Sequence, residues 1–316
     1  FNPPKIGMTW YADWMAWGAH ATVRRLHAEC PIDLIDAHYV YPDGAAAIAL
    51  GRRFAIPVSI TARGTDINLF SRMRFIQPLV ARALRGAAAI IAVSDALRAR
   101  MLDLGIERDQ IAVIRNGIDT HAFHRRPQLA ARHELGLAAN ARIILTVCAL
   151  VPLKGIDRLI DAVAILDDPC VELVIVGEGA EREALQIRIN RLGLNRRVRL
   201  VGAKSQTELA IWYAASDLFC LASQREGCPN VIIEALTCGV PIVASDVGGV
   251  RELVSDERFG FLIPEDRSSA KAFATGIQAA LVRTWNRDEI AAHGGSRSWT
   301  SVAQEVVDFW SARKLC

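Results

Sequence analysis

Several things are missing from this 316-residue sequence, and each absence removes a class of function. Hydrophobic residues make up 52% of it, yet their runs are short and broken by charge, so no transmembrane helix is expected. The seven cysteines are an odd number with no C-x-x-C pair, which favours reduced thiols in a cytoplasmic protein over a disulfide framework. No ligand cluster accompanies His121 and His124, so both read as ordinary histidines and no metal site is indicated. A strong charge of one sign is also lacking: a net charge of +3 is too mild to argue for a nucleic-acid partner. The first residue is Phe1 rather than Met, and no signal peptide follows it. Length alone suits two domains, each with a substantial core.

What the sequence does hold is organised around residues 226–241. Pro229 suits the first turn of a helix, where its missing N–H costs nothing, and Gly239 suits a left-handed stop. The run 240–245 then reads as a buried strand. At about 100° per residue, Asn230, Glu234 and Thr237 fall on one stripe of that helix, and apolar side chains cover the rest. A helix that apolar is buried, so Glu234 must face a partner, a cleft or a ligand. Just ahead of it, Gly227 and Cys228 place N–H groups at the positive helix end, a site suited to phosphate, with Glu226 at its lip. Acids beside and inside an anion site point to a ligand with both phosphate and hydroxyl groups.

The spacing Glu-x7-Glu, in the setting EGCPNVIIEALTCGVPIVASDVGG, resembles the donor-site signature of the retaining glycosyltransferases of family 4, which have the GT-B fold. The resemblance implies that Glu226 contacts the donor hexose and Glu234 the nucleotide ribose. It also implies that the backbone from Gly227 through Cys228, Pro229 and Asn230 to Val231 holds the sugar and diphosphate. Taken alone, Glu226 is explained equally by an acid favouring the helix dipole. Glu234 has no such explanation.

In the first domain, Trp10, Trp14 and Trp17 recur at i, i+4 and i+7 along a helix expected over 8–28. They read as a face packed on the domain, or one exposed for want of its partner. A membrane-surface anchor is the alternative, weakened by a polar face poor in Lys and Arg. Strands are expected at 33–38 and 57–61, and polar residues just after parallel strands lie at the sheet edge where α/β folds place ligands. The loops after them resemble the family's H-x-H-Y and T-x-H-G segments. His38 matches the second histidine of the former, and a core histidine satisfied by a neighbour explains it as well as ligand contact does. Arg63 stands where many members have histidine, a permanent cation suited to an anionic acceptor or the donor phosphates. His38 and Arg63 join Glu226 as candidate catalytic residues, and Tyr39, Asp43, Gly44, Gly64 and Asp66 are expected on the acceptor side. Asn116 and Gly117 resemble the family's N-G-V-D turn and need no function beyond the turn.

In the second domain, Lys154 matches the lysine that holds the donor diphosphate in the family loop G-R-L-x-x-x-K-G. Cys148 and Ala149 replace that loop's glycine and arginine, so one phosphate cation is missing, and Arg63 is the candidate to offset it. A tight strand-to-helix turn explains Gly177 and Gly179, and the arginines within 191–199 read as a solvated face. Ser205 and Glu208 form a capping box. Gly248 and Gly249 permit close backbone approach, and a closing helix over 301–313 is implied to pack back onto the first domain.

Strand–helix alternation with right-handed crossovers gives parallel sheets covered on both faces. The fold class is therefore α/β and GT-B-like: two Rossmann-like parallel-sheet domains facing a cleft. The first is expected to be incomplete, because the resemblance starts partway through it. Residues 1–137 are assigned to the first domain, 138–296 to the nucleotide-sugar-binding domain and 297–316 to the closing helix. The implied reaction transfers a hexosyl group from a nucleotide diphosphate sugar to a hydroxyl acceptor, saccharide, lipid-linked or other, with anomeric retention. No metal or other cofactor is expected, the nucleotide sugar being a substrate. A cytoplasmic location is expected, with peripheral contact at the inner face of a membrane left open. Two alternatives remain: a same-fold nucleotide-sugar epimerase or phosphorylase, and a donor-binding fragment without turnover.

Overall fold

A computed structural model describes residues 7–315, which fall into two compact units. One is built from the chain up to Asn116 together with Thr300 onward, the other from Gly117–Trp299.

In the first unit, parallel strands β1 (Ile35–His38), β2 (Val58–Ala62), β3 (Ala89–Ala92) and β4 (Ile111–Val113) lie side by side in chain order. β2 and β3 are buried along their whole length, the mark of central parallel strands. β1 buries only Ala37 and turns Asp36 and His38 outward, as a period of two requires. Helix Asp95–Asp103 is capped by Ser94, whose hydroxyl accepts the Leu97 N–H at 3.3 Å. The helix Trp299–Ala312 joins this unit from Thr300: Val302 packs with Ile91 and Ile114, and Trp310 Nε1 donates to the buried Ser59 Oγ at 3.0 Å. On helix Tyr11–Glu29 and the residue before it, the tryptophan face stays largely in solvent, with Trp10 61% and Trp17 84% exposed. No described helix is long and apolar enough to cross a membrane.

In the second unit, parallel strands β5 (Arg142–Val147), β6 (Val171–Val176), β7 (Val198–Leu200), β8 (Leu218–Leu221), β9 (Ile242–Asp246) and β10 (Gly260–Pro264) take the order β10-β9-β8-β5-β6-β7. Alternate side chains feed two cores. Ile143, Leu145, Phe219 and Leu221 pack with helices Gln206–Ala215 and Asn230–Thr237. Ile144, Leu218 and Cys220 pack with helices Ile156–Ile165 and Ala270–Val282. The order reverses between β5 and β8, and such a switch point opens a crevice at the C-terminal strand ends.

Two expectations need correction. Residues 117–137 belong to the second unit, so the division falls after Asn116 rather than near 137. Phe123 is buried in that unit's core, and the buried Arg132 donates to Asp217 Oδ2 at 2.6 Å and to the Ala215 carbonyl at 3.0 Å. The arginines near 199 are not all a solvated face. Arg197 donates to the carbonyls of Val171 and Leu166, and Arg199 pairs with Glu172 at 3.0 Å, around the strand β7.

Candidate active site

The switch point is flanked by the loops after β5 and β8, at 148–155 and 222–229. They are stitched together at several points. The Gln224 N–H donates to the Leu153 carbonyl at 2.9 Å, and Arg158 donates to the Ala222 carbonyl. Lys154 Nζ meets Glu226 Oε1 at 2.6 Å, with 23% and 10% of the two side chains exposed. The Glu226 loop is backed by Gly248, whose φ is +54° and where a Cβ would stand 2.0 Å from the Glu226 carbonyl oxygen. Its neighbour Gly249 donates its N–H to the Gly227 carbonyl at 3.0 Å. Only glycine fits that approach.

The helix Asn230–Thr237 starts one residue later than expected: Pro229 takes the N-cap place with φ −74° and ψ 109°. Gly239 makes the left-handed stop at φ +76°. The polar stripe divides along its length. Asn230 is exposed, whereas Thr237 is buried and bonds its own helix at the Ile233 carbonyl, 2.7 Å away. Half-buried between them, Glu234 accepts the Tyr213 hydroxyl at 2.8 Å. Tyr213 is fully buried between Phe123 and Phe219. Burial pushes the Glu234 carboxyl above its ordinary range, with the Tyr213 hydrogen bond opposing. Burial also holds the Cys148 thiol up at about 11, with Lys154 pulling down and Glu226 pushing up, so the cysteine beside this pair is a neutral thiol at pH 7.

In the first unit, the loops after β1 and β2 are tied by one carboxylate. Asp66 is wholly buried and accepts the N–H groups of Val40 at 2.9 Å, Arg63 at 3.2 Å, Gly64 at 2.7 Å and Ile67 at 3.1 Å. Burial raises its carboxyl while these donors pull it down. Asp66 is thus a scaffold group rather than a surface for an acceptor. Gly44 is likewise buried, and a Cβ there would meet Ile60 at 2.9 Å. Tyr39 adopts φ +88°, uncommon for a residue with a side chain and costing roughly 1–3 kcal/mol. It is held by its N–H on the Thr61 carbonyl at 2.9 Å and by the Gly44 N–H on its own carbonyl at 2.8 Å. Asp43 is half-buried in the same loop.

His38 and Arg63 do come together. Arg63 Nε lies 3.1 Å from His38 Nδ1, and a terminal nitrogen of the same guanidinium donates there too. Arg63 also donates to Asn116 Oδ1 at 3.0 Å, and His38 Nε2 lies 3.0 Å from Asp36 Oδ2. Asn116 therefore does more than make a turn. Neither Asn116, Asp36 nor Tyr213 stands out along the chain: the first sits in an ordinary Asn-Gly turn, and Tyr213 in a helix apolar on most sides.

The model of the family "Glycosyl transferases group 1" matches residues 128–294, and that of "Glycosyltransferase Family 4" matches residues 3–122. A D-inositol 3-phosphate glycosyltransferase of Jonesia denitrificans is 32% identical, over 90% of this chain and 72% of its own. An N-acetyl-alpha-D-glucosaminyl L-malate synthase of Bacillus anthracis is 25% identical, over 87% and 71%. Among solved structures, Anabaena HepE in complex with UDP and glucose superposes with a TM-score of 0.79 at 26% identity, covering 92% of this chain and 81% of that one. Of the alternatives raised by the sequence, these likenesses support the transferase. The chain belongs to glycosyltransferase family 4, with its GT-B fold, and is a retaining glycosyltransferase that takes its sugar from a nucleotide-linked donor.

Proposed function

We propose that the donor is a UDP-hexose, held in the second unit, and that the sugar passes to a hydroxyl acceptor served by the first. The observation that carries this reading is the pairing of Lys154 with Glu226 at 2.6 Å, beside the start of helix Asn230–Thr237 and at the switch point of the sheet. An ammonium has three donors, so Lys154 can hold Glu226 in place and still meet a phosphate oxygen. The helix N-terminus adds N–H groups and a favourable dipole for the same diphosphate. Glu226 is assigned to the hexose hydroxyls and to the developing positive charge at the anomeric carbon, and Glu234 to the ribose. Catalysis then rests on phosphate stabilisation and positioning. The solved complexes of HepE with UDP and with UDP-glucose support the choice of base.

Calorimetry of UDP and UDP-glucose separates the roles. Glu234→Ala should weaken both ligands, because the ribose is common to them. Glu226→Ala should weaken UDP-glucose far more than UDP. Equal losses of UDP in the two variants would overturn the assignment.

A further inference from the structure

We propose that the first unit docks on an anionic lipid bilayer, with its exposed tryptophans at the headgroup level and a lipid phosphate seated between Arg52 and Arg82. The inference goes beyond the donor assignment above and does not depend on it.

Helix Tyr11–Glu29 is itself poor in Lys and Arg, which weakens a membrane reading of that helix taken alone. Its neighbours supply the cations. It packs against helix Ala45–Phe54, which packs in turn against helix Gln77–Gly86. The stretch 45–94, which contains both of those helices, has seven arginines and a single acid, the buried Asp66.

A groove of about 220 Å³ runs between these helices. Ile48 and Ala49 line one wall, Leu79 and Ala83 the other, so its body is apolar. Arg52 and Arg82 follow Ile48 and Leu79 by about one turn, line the groove as well, and are exposed. Neither has an ion pair or hydrogen bond to another described residue. Among the described lining residues Asp13 is the single acid, so two guanidinium groups outnumber it and the groove favours an anion. Small-molecule pockets run to roughly 300–1,000 Å³. This smaller groove admits a phosphate-bearing headgroup and leaves acyl chains outside.

Large aromatic side chains flank it. Trp10 and Trp17 lie three residues before and four after Asp13, on the same side of the helix, and both stand in solvent. Phe75, 73% exposed, precedes Leu79 by four residues on the other wall. Indole rings combine an apolar body with an N–H and settle at a membrane–water interface. Arginine lays its stem on apolar surface and keeps its charge among the headgroups. Exposed rings on both sides of a cationic, phosphate-sized groove match a surface of phosphates over hydrocarbon, and the excess of arginine selects an anionic one.

The test floats the whole chain with vesicles of phosphatidylcholine alone, and of phosphatidylcholine mixed with phosphatidylglycerol, at low and high salt. Binding to the anionic vesicles is expected, weakening with salt, and little to the neutral ones. Arg52→Gln and Arg82→Gln should each lower the partition coefficient roughly fivefold, the effect of one basic residue at an anionic surface. Trp17→Ser should lower it roughly tenfold. Arg100→Gln makes the same charge change on helix Asp95–Asp103, which does not line the groove, and should matter less. All four positions are exposed, and thermal melts check that each variant folds. No binding to anionic vesicles, equal binding to neutral ones, or equal losses from Arg100→Gln and the groove arginines would each overturn the inference. So would self-association of the lipid-free chain that Trp17→Ser abolishes, because a second copy would then cover this face.

Discussion

The two sheet edges reach their polar constellations by different means. In the second unit the strand order reverses between β5 and β8, and backbone does most of the positioning there: glycine loops, carbonyls bonded across loops, and a helix start. A charged pair, Lys154 with Glu226, sits inside that frame. In the first unit the four described strands follow chain order with no reversal, and side chains do the positioning: Asp66 ties two loops, while Asp36, His38 and Asn116 orient Arg63. A backbone frame suits a ligand part that never changes, such as a diphosphate. A side-chain network can be re-specified by a few substitutions, which suits an acceptor that differs between relatives.

The largest effect should come from adding a methyl group to the backbone-built edge. Gly248→Ala requires a left-handed residue with a Cβ, costing about 1–2 kcal/mol before any clash. The clash is with the Glu226 carbonyl oxygen at 2.0 Å, so that carbonyl must move. A total loss of roughly 3 kcal/mol or more is expected in urea unfolding, with UDP-glucose affinity falling beyond a hundredfold. An alanine variant of full stability and affinity would break the contrast between the two edges.

Next comes the charged pair. Lys154→Ala removes a charge-assisted contact worth about 1.5–3 kcal/mol, so UDP should bind roughly ten- to hundredfold more weakly. It also takes the ammonium away from Glu226, whose side chain is only 10% exposed. Combining Lys154→Ala with Glu226→Gln should therefore recover folding stability but not UDP affinity, a non-additivity that a double-mutant cycle reads directly. Additive stability losses would show that the pair does not work as one unit.

The side-chain-built edge should respond in stability alone. Asp66→Asn turns an amide N–H toward backbone N–H groups, with an expected loss of about 2 kcal/mol. UDP affinity, measured on the folded fraction, should hold. A large loss of UDP affinity would mean that the acceptor-side scaffold also serves the donor.

The alternation of strands and helices was legible because each central strand is a short apolar run between turn residues, and parallel sheets demand that pattern. β7 was not, because Arg197 and Arg199 interrupt it, and their work is to bond carbonyls and Glu172 from neighbouring elements. Helix Gln128–Glu134 was hidden in a polar segment whose buried anchor, Arg132, finds Asp217 far along the chain. At the site, local constraints were readable: the helix start and the glycine stop are properties of adjacent residues. What paired with what was not. Lys154 meets Glu226 and Arg63 meets Asn116 only through the order of strands in each sheet.

The smallest effect concerns Glu234, a functional candidate whose side chain is held by the Tyr213 hydroxyl. Burial raises its carboxyl in the folded chain, while an unfolded glutamate titrates near 4.3, a reference of roughly one-unit spread. The folded state therefore holds the proton more tightly. The stability this group contributes is complete below the unfolded value and is lost as pH rises through the folded one. Glu234→Gln cannot ionise, so its stability relative to wild type should improve as pH climbs from about 4 to 7. Tyr213→Phe should cost about 1 kcal/mol and push the same titration higher, since the hydroxyl stabilises the charged form. If Glu234 meets the ribose, the glutamine variant should gain stability at pH 7 while losing UDP affinity, and wild-type UDP affinity should fall as pH drops through the same range. Thermal melts and UDP titrations over that range decide the matter. A glutamine variant that is less stable at every pH, yet binds UDP like the wild type, would make Glu234 a structural partner of Tyr213 and nothing more.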